Sequence, residues 1–170
     1  MVIESRRVRL RGWRLEDAEA LFRYASDCRV SELALWPAHS SVEMSRDVIR
    51  EVFIPNPHNF AIVLKATDEP VGCIGLVPSG GEHCEVGADE MEVGYWIGYP
   101  YWGKGLTTEA LLALLDYCRD ELHLTRLVIT TDSRNVASQR VAEKCGFRFE
   151  KDYVLDGTAG KIYRLHGQRP

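Results

Sequence analysis

Residues 91–106, MEVGYWIGYPYWGKGL, carry the reading on which the fold turns. A run of strand character (91–97) passes into a glycine-flanked turn, and an amphipathic helix follows. Such a turn presents free backbone N–H groups to a phosphate. Gly103 and Gly105 carry no Cβ, so the backbone there can adopt unusual dihedrals and approach a pyrophosphate closely. Residues 98–104 also spell the first seven positions of G-x-x-x-x-G-K. The eighth position holds Gly105, where a nucleotide-binding P-loop needs Ser or Thr for Mg²⁺, and Thr107 and Thr108 come too late. The dinucleotide pattern G-x-G-x-x-G fails at Thr108. What remains is a pyrophosphate held by amides without an obligatory metal, which suits coenzyme A. The alternative is a plain strand-to-helix turn that binds nothing.

Working outward, Leu111, Leu114, Leu115, Cys118 and Leu122 recur at helical spacing and predict a helix over 106–121. Residues 126–131, RLVITT, read as a buried strand. Asn135 reads as the N-cap of a helix over 136–145 that stops at Gly146, with Phe147 beyond. Upstream, Ala18, Leu21, Phe22 and Ala25 share a face of a first helix, with Glu16 and Asp17 near its N-terminus. Ser-Ser-Val-Glu at 40–43 resembles a capping box opening a second helix that ends near Phe53, before Pro55 and Pro57. Phe60, Ile62 and Leu64 alternate as a strand, and Asp68-Glu69-Pro70 turns the chain into a strand over 71–77. With 90–97 these form an antiparallel meander. The expected architecture is an α/β fold: a twisted, mixed sheet of six or seven strands flanked by about four helices. Strands 91–97 and 126–131 run parallel around a helical crossover.

With 170 residues and 45% hydrophobic content, the sequence fits one globular domain spanning 1–170. The net charge of −4 argues against a nucleic-acid partner, and Arg6, Arg7, Arg9 and Arg11 alternate as a solvated strand face would. No segment approaches the ~20 apolar residues of a membrane span and no signal peptide is evident, so the expectation is cytoplasmic. Five cysteines without a C-x-x-C pair suit reduced thiols rather than disulfides or zinc, and the five histidines show no ligand spacing, so no metal is expected. Cys118 and Cys145 read as core. Cys84, beside His83 and Glu85, reads as a loop thiol. Monomer and homodimer stay equally open.

Gly-Tyr-Trp-Ile (94–97), Tyr-Trp-Gly-Lys-Gly (101–105), Glu109-Ala110, Asn135-x-x-Ser138 and Cys145-Gly146-Phe147 occur in fixed order. The pattern resembles the GNAT superfamily of acetyl-CoA-dependent N-acyltransferases. Val8-Arg-Leu-Arg11 with Leu15-Glu-Asp-Ala18 extends the likeness to the branch that acetylates ribosomal-protein N-termini. The resemblance implies splayed central strands with a cofactor arm between them. Pantetheine would pair along Trp96, Ile97 and Gly98 and with Asn135, and pyrophosphate would sit on the amides of Trp102, Gly103, Lys104, Gly105, Leu106 and Thr107.

Acyl transfer to an amine needs a base, an oxyanion donor and a hydrogen-bond donor for the departing thiolate. Many members of the superfamily place a tyrosine four residues before the Gly of Gly-Phe, but that position is Ala142 here. The resemblance puts Ser138 in its stead, as a donor to the sulfur. A backbone N–H near Val93 or Gly94 is the expected oxyanion donor, Gly94 tolerating a bulge. Glu92, on the side of Gly94 and Trp96 by alternation, is the expected base, with Asp156 as the second candidate. Acceptor contacts are expected from the first two helices and the last strand pair, including residues 33–37 with Trp36, and from the loop 78–89; Glu82, Glu85, Asp89 and Glu90 could attract a cationic amine. Three functions remain open: acetylation of a protein or peptide α-amine, acetylation of a small amine such as a polyamine, amino acid or aminoglycoside, and a non-catalytic acyl-CoA-binding module.

Overall fold

The computed structural model describes residues 1–77, 87 and 89–167. Among these residues eight strands form one sheet: β1 (Val2–Glu4), β2 (Val8–Gly12), β3 (Asn59–Leu64), β4 (Glu69–Val77), β5 (Met91–Ile97), β6 (Leu127–Asp132), β7 (Arg148–Leu155) and β8 (Thr158–Leu165). Their order is β1-β2-β3-β4-β5-β6-β8-β7. Every pairing is antiparallel except β5 with β6. That parallel step is bridged by helix α4 (Leu106–Asp120), as a crossover requires. The remaining helices are α1 (Ala18–Ala25), α2 (Cys28–Ala34), α3 (Val42–Val48) and α5 (Val136–Lys144).

Two cores lie on opposite faces of the sheet. On one, Leu106, Ala110, Leu111, Leu114 and Cys118 of α4 and Ala142 of α5 pack on Leu10, Phe60, Ile62, Leu76, Val93 and Ile129. On the other, Leu21 and Ala25 of α1 and Ile49 beyond α3 pack on Ala61, Val63 and Cys73. Alternation along each strand sorts the side chains between the faces.

Among the described residues the sheet has eight strands rather than six or seven, because the three-residue β1 adds an edge strand to the expected set, which already included a last strand pair. The five helices include α2, which the sequence reading missed. It spans two turns, too short for a periodic stripe, and is signalled only by Asp27, whose carboxylate accepts from the Arg29 N–H. The cap of α3 is Ser41, which accepts from the Met44 N–H at 3.0 Å, one residue later than the expected box. The helical path then continues through a wider turn over Ile49–Phe53.

The basic opening is a solvated face only in part: Arg6 is exposed and Arg7 and Arg9 are half-exposed. Arg11 is buried and forms a two-pronged pair with Asp17, at 2.8 and 3.0 Å. Arg9 pairs with Glu4 and Asp68. Cys73, Cys118 and Cys145 are buried, and burial pushes the Cys73 and Cys118 thiols up to about 12. Cys84 and His83 lie outside the described residues.

Candidate active site

The sheet parts between β5 and β6. The two strands pair only at Met91↔Leu127 and Glu92↔Val128, after which β6 continues alongside β8 as far as Asp132↔Gly160. The Met91 N–H donates to the Arg126 carbonyl on the β6 side, and the Gly98 N–H donates to the Val71 carbonyl on the β4 side. Backbone groups along a strand alternate between its two edges, so those of Tyr95 and Ile97 face the gap, where no strand meets them. The edge is suited to an extended, amide-bearing ligand.

The same alternation revises the expected contacts. Trp96, Gly98 and Gly94 turn their backbone groups to β4, and the β4–β5 register runs regularly through Gly75↔Gly94 without a bulge. Gly98 has its own reason to be glycine, since a Cβ there would stand 2.6 Å from the Tyr24 ring. Of the groups facing the gap, the Ile97 carbonyl already accepts from the Trp102 indole N–H at 2.9 Å. The Trp102 amide is also engaged, donating to the Tyr99 carbonyl at 3.1 Å.

Beyond Trp102 the chain turns through two left-handed residues, Gly103 (φ 71°) and Gly105 (φ 75°), and enters α4. A Cβ on Gly103 would meet nothing within 4 Å, so backbone dihedral rather than space calls for glycine. Gly105 offers no capping side chain, and the first helical bond runs from the Glu109 N–H to the Gly105 carbonyl. The amides of Leu106, Thr107 and Thr108 precede that bond and point outward at the positive end of a fifteen-residue helix.

The loop is held by residues distant in sequence. Arg7, in the β1–β2 turn, donates from Nη1 to the Lys104 carbonyl at 2.9 Å and from its amide to Glu109 Oε2 at 3.1 Å. Tyr24 reaches from α1 to Tyr101 and Glu69. Lys104 Nζ lies 5.6 Å from the centroid of the Tyr101 ring.

At the foot of the gap, Glu92 is 7% exposed on the face shared with Trp96. Its Oε1 accepts from Thr130 Oγ1 at 2.7 Å, while its Oε2 is buried without a hydrogen-bond partner. The cost of such an orphan acceptor, about 1–3 kcal/mol, disappears when a donor arrives. Above it, the Trp96 ring meets the Trp36 ring edge to face at 5.4 Å. Helix α2 packs across β5 and β6 on this side, and Arg134 links its Glu32 to Asp132. The Arg134 guanidinium holds the Asp132 carboxyl below the usual carboxylate range.

Asp132, Ser133 and Arg134 line a cleft of about 340 Å³ with Gly157, Thr158 and Ala159 of the β7–β8 hairpin. Asp156 sits exposed in that hairpin turn at φ 49°. Val128, level with Glu92, lies four residues, or about 13 Å, from Asp132 at the cleft. The two candidate bases are therefore not brought together.

On the opposite face, Tyr95 spans the gap to α5. Its hydroxyl donates to the Ser138 carbonyl at 2.9 Å and accepts from Ser138 Oγ at 3.1 Å. Asn135 Oδ1 caps the helix by accepting from the Ser138 N–H at 3.2 Å. Burial raises the Tyr95 phenol further above its ordinary value, so it stays protonated. Sequence reasoning did not find Tyr95. The signal was its odd position on β5, which directs it to the α4–α5 face.

The expected acidic attraction is weakened among the described residues. Asp89 pairs with Arg126 at 2.6 Å, and Glu90 with Arg126 at 3.1 Å and Arg164 at 3.5 Å. Glu82 and Glu85 lie outside the described residues. No described helix is long and apolar enough to cross a membrane.

A sheet parted on one side of a parallel strand pair, with uncapped helix amides beside the opening, defines a class of protein suited to an extended ligand that carries an anionic group. Comparison with known proteins gives the class its family. The model of the acetyltransferase (GNAT) domain matches residues 7–148, and the chain belongs to the GNAT family of acetyltransferases. It is 30% identical over 156 residues to the uncharacterized N-acetyltransferase p20 of Bacillus licheniformis, covering 88% of this chain and 85% of that one. A GNAT-family acetyltransferase from Bacillus anthracis superposes with a TM-score of 0.82 at 26% identity, over 98% of both chains. A Vibrio cholerae protein provisionally described as a ribosomal-protein-serine acetyltransferase superposes with a TM-score of 0.79 at 27% identity, over 98% and 97% of the chains. The protein is an acetyltransferase of the family that draws its acetyl group from acetyl-CoA.

Proposed function

We propose that this enzyme transfers the acetyl group of acetyl-CoA directly to a primary amine, the α-amine of a protein or peptide N-terminus. The observation that carries the reading is the buried, unpartnered Oε2 of Glu92 at the foot of the gap. A carboxylate oxygen in that place accepts a proton from an amine entering on the Trp96 face. The residues fit the coenzyme. The free edge of Tyr95 and Ile97 takes the pantetheine amides, with Asn135 at its far side, and the amides from Gly103 to Thr108 take the diphosphate. When bound, acetyl-CoA supplies the activated acyl group.

Each remaining role falls to a group of this chain. Glu92 Oε2 removes the amine proton while Thr130 steadies Oε1. A backbone N–H of the free β5 edge, at Tyr95, stabilises charge on the carbonyl oxygen. Ser138 Oγ donates a hydrogen bond to the departing sulfur. At pH 7, neutralising a lysine-like amine costs roughly 4–5 kcal/mol, but an α-amine only about 1. A lone carboxylate with one hydrogen-bond partner suits the easier task. The description of the Vibrio cholerae relative supports the same acceptor class.

Thiol release from acetyl-CoA, followed with a panel of N-terminal peptides and small amines, tests the proposal. Turnover with peptides and not with polyamines, amino acids or aminoglycosides is the expected result. Turnover confined to small amines would replace the acceptor, and tight coenzyme A binding without turnover would overturn the catalytic reading.

A further inference from the structure

Ser138 does not present a free hydroxyl to the gap. Its proton is committed to Tyr95 Oη at 3.1 Å, and the Tyr95 proton is committed to the Ser138 carbonyl at 2.9 Å. The phenol is therefore within reach of two acceptors on one residue, Ser138 O and Ser138 Oγ. Turning the Ser138 hydroxyl toward a sulfur in the gap removes the hydrogen bond that Tyr95 accepts. It also exposes an Oγ lone pair, to which the Tyr95 O–H can swing by rotating about its C–O bond.

We propose that Tyr95 is a positioning residue for departure of the thiol: it parks the Ser138 hydroxyl when the gap is empty and, by re-aiming its own O–H from the Ser138 carbonyl to Oγ, strengthens Ser138 as a donor to the coenzyme sulfur. This rests on the reading of Ser138 given above. No proton changes owner at Tyr95, and only hydrogen bonds exchange. A hydroxyl that accepts a hydrogen bond is a better donor to its next partner, and the effect is largest where water is scarce. Because burial holds the phenol protonated, Tyr95 remains a donor at the alkaline pH at which a thiol ionises. Ala142, fully buried on the inner face of α5, holds no hydroxyl that could do this instead. Tyr95 reaches the same helix from the strand.

The test needs no acceptor amine. Binding of coenzyme A and of desulfo-coenzyme A is measured by calorimetry at about pH 7 and about pH 9.5, where an alkyl thiol is largely thiolate. The proteins compared are the wild type, Tyr95→Phe, Ser138→Ala and the double variant, with thermal melting to verify folding. In the wild type, the preference for coenzyme A over the desulfo analogue should rise about ten-fold at the higher pH, the size expected of one charge-assisted hydrogen bond. Tyr95→Phe should reduce that rise to about two- or three-fold without altering desulfo-coenzyme A affinity. Ser138→Ala should abolish the rise, and adding Tyr95→Phe should then change nothing. Tyr95→Phe with the wild-type preference would overturn the proposal, as would an equal loss of affinity for both ligands, which marks a mere brace across the gap. If the wild type shows no rise and Ser138→Ala leaves binding unchanged, the reading of Ser138 itself fails, and Tyr95 with it.

Discussion

The two faces of the gap between β5 and β6 have opposite hydrogen-bonding character. On the α1–α3 face, Glu92 offers an acceptor with nothing to accept. On the α4–α5 face, Tyr95 and Ser138 form a closed pair of donors, each already engaged. One strand supplies both, because Glu92 and Tyr95 lie at even and odd positions of β5 and alternation sends them to opposite sides. Acyl transfer needs a proton taken from one reactant and a hydrogen bond given to the other, and the proposed mechanism assigns these tasks to separate faces of the sheet.

The largest test of that division is Glu92→Gln, which keeps the shape and removes the base. It should lower kcat/KM by about 10²-fold or more while coenzyme A affinity stays unchanged. Ser138→Ala should reduce kcat by roughly ten-fold or somewhat more, with little change in the KM for acetyl-CoA. If Glu92→Gln were harmless and Ser138→Ala crippling, the assignment of the faces would be wrong. Thr130→Val leaves both Glu92 oxygens without partners, so it should cost about 1–3 kcal/mol in denaturant unfolding and slow turnover several-fold. The smallest effect concerns Asp132, whose carboxyl is held low by Arg134. A depressed carboxylate contributes stability above its unfolded value near ~3.9 and loses it as pH falls through its folded value. Arg134→Gln should therefore be slightly less stable at neutral pH, the effect being small because Arg134 is largely exposed, and the difference from wild type should vanish in acid. Circular dichroism against pH checks it.

Comparing the gap with the loop beside it shows what kind of feature is legible in a sequence. The turn at Gly103 and Gly105, the stripe of α4 and the Asn135 cap each depend on residues within about one or two helical turns, and all appear where expected. Helix α2 escaped because seven residues carry too little periodicity. Arg11 read as solvated because nothing local announces that Asp17 folds back to neutralise it in the core. Arg7 meets Glu109 across 102 positions, and Tyr95 meets Ser138 across 43, so neither contact has a local signature.

Short-range pattern was enough for the strand–loop–helix around Gly103 and Gly105, for the parallel pair around α4, and for Glu92 as a candidate, while Ser138 came from the family resemblance. The features read from pattern depend on dihedral preference and periodicity, which each stretch of chain carries within itself. Which edge of β5 stays open, which carboxylate oxygen goes unpartnered and which hydroxyl holds Ser138 emerged only when β6 leaned toward β8 and α5 docked. Such properties belong to pairs of distant groups, and packing alone brings those pairs within bonding distance.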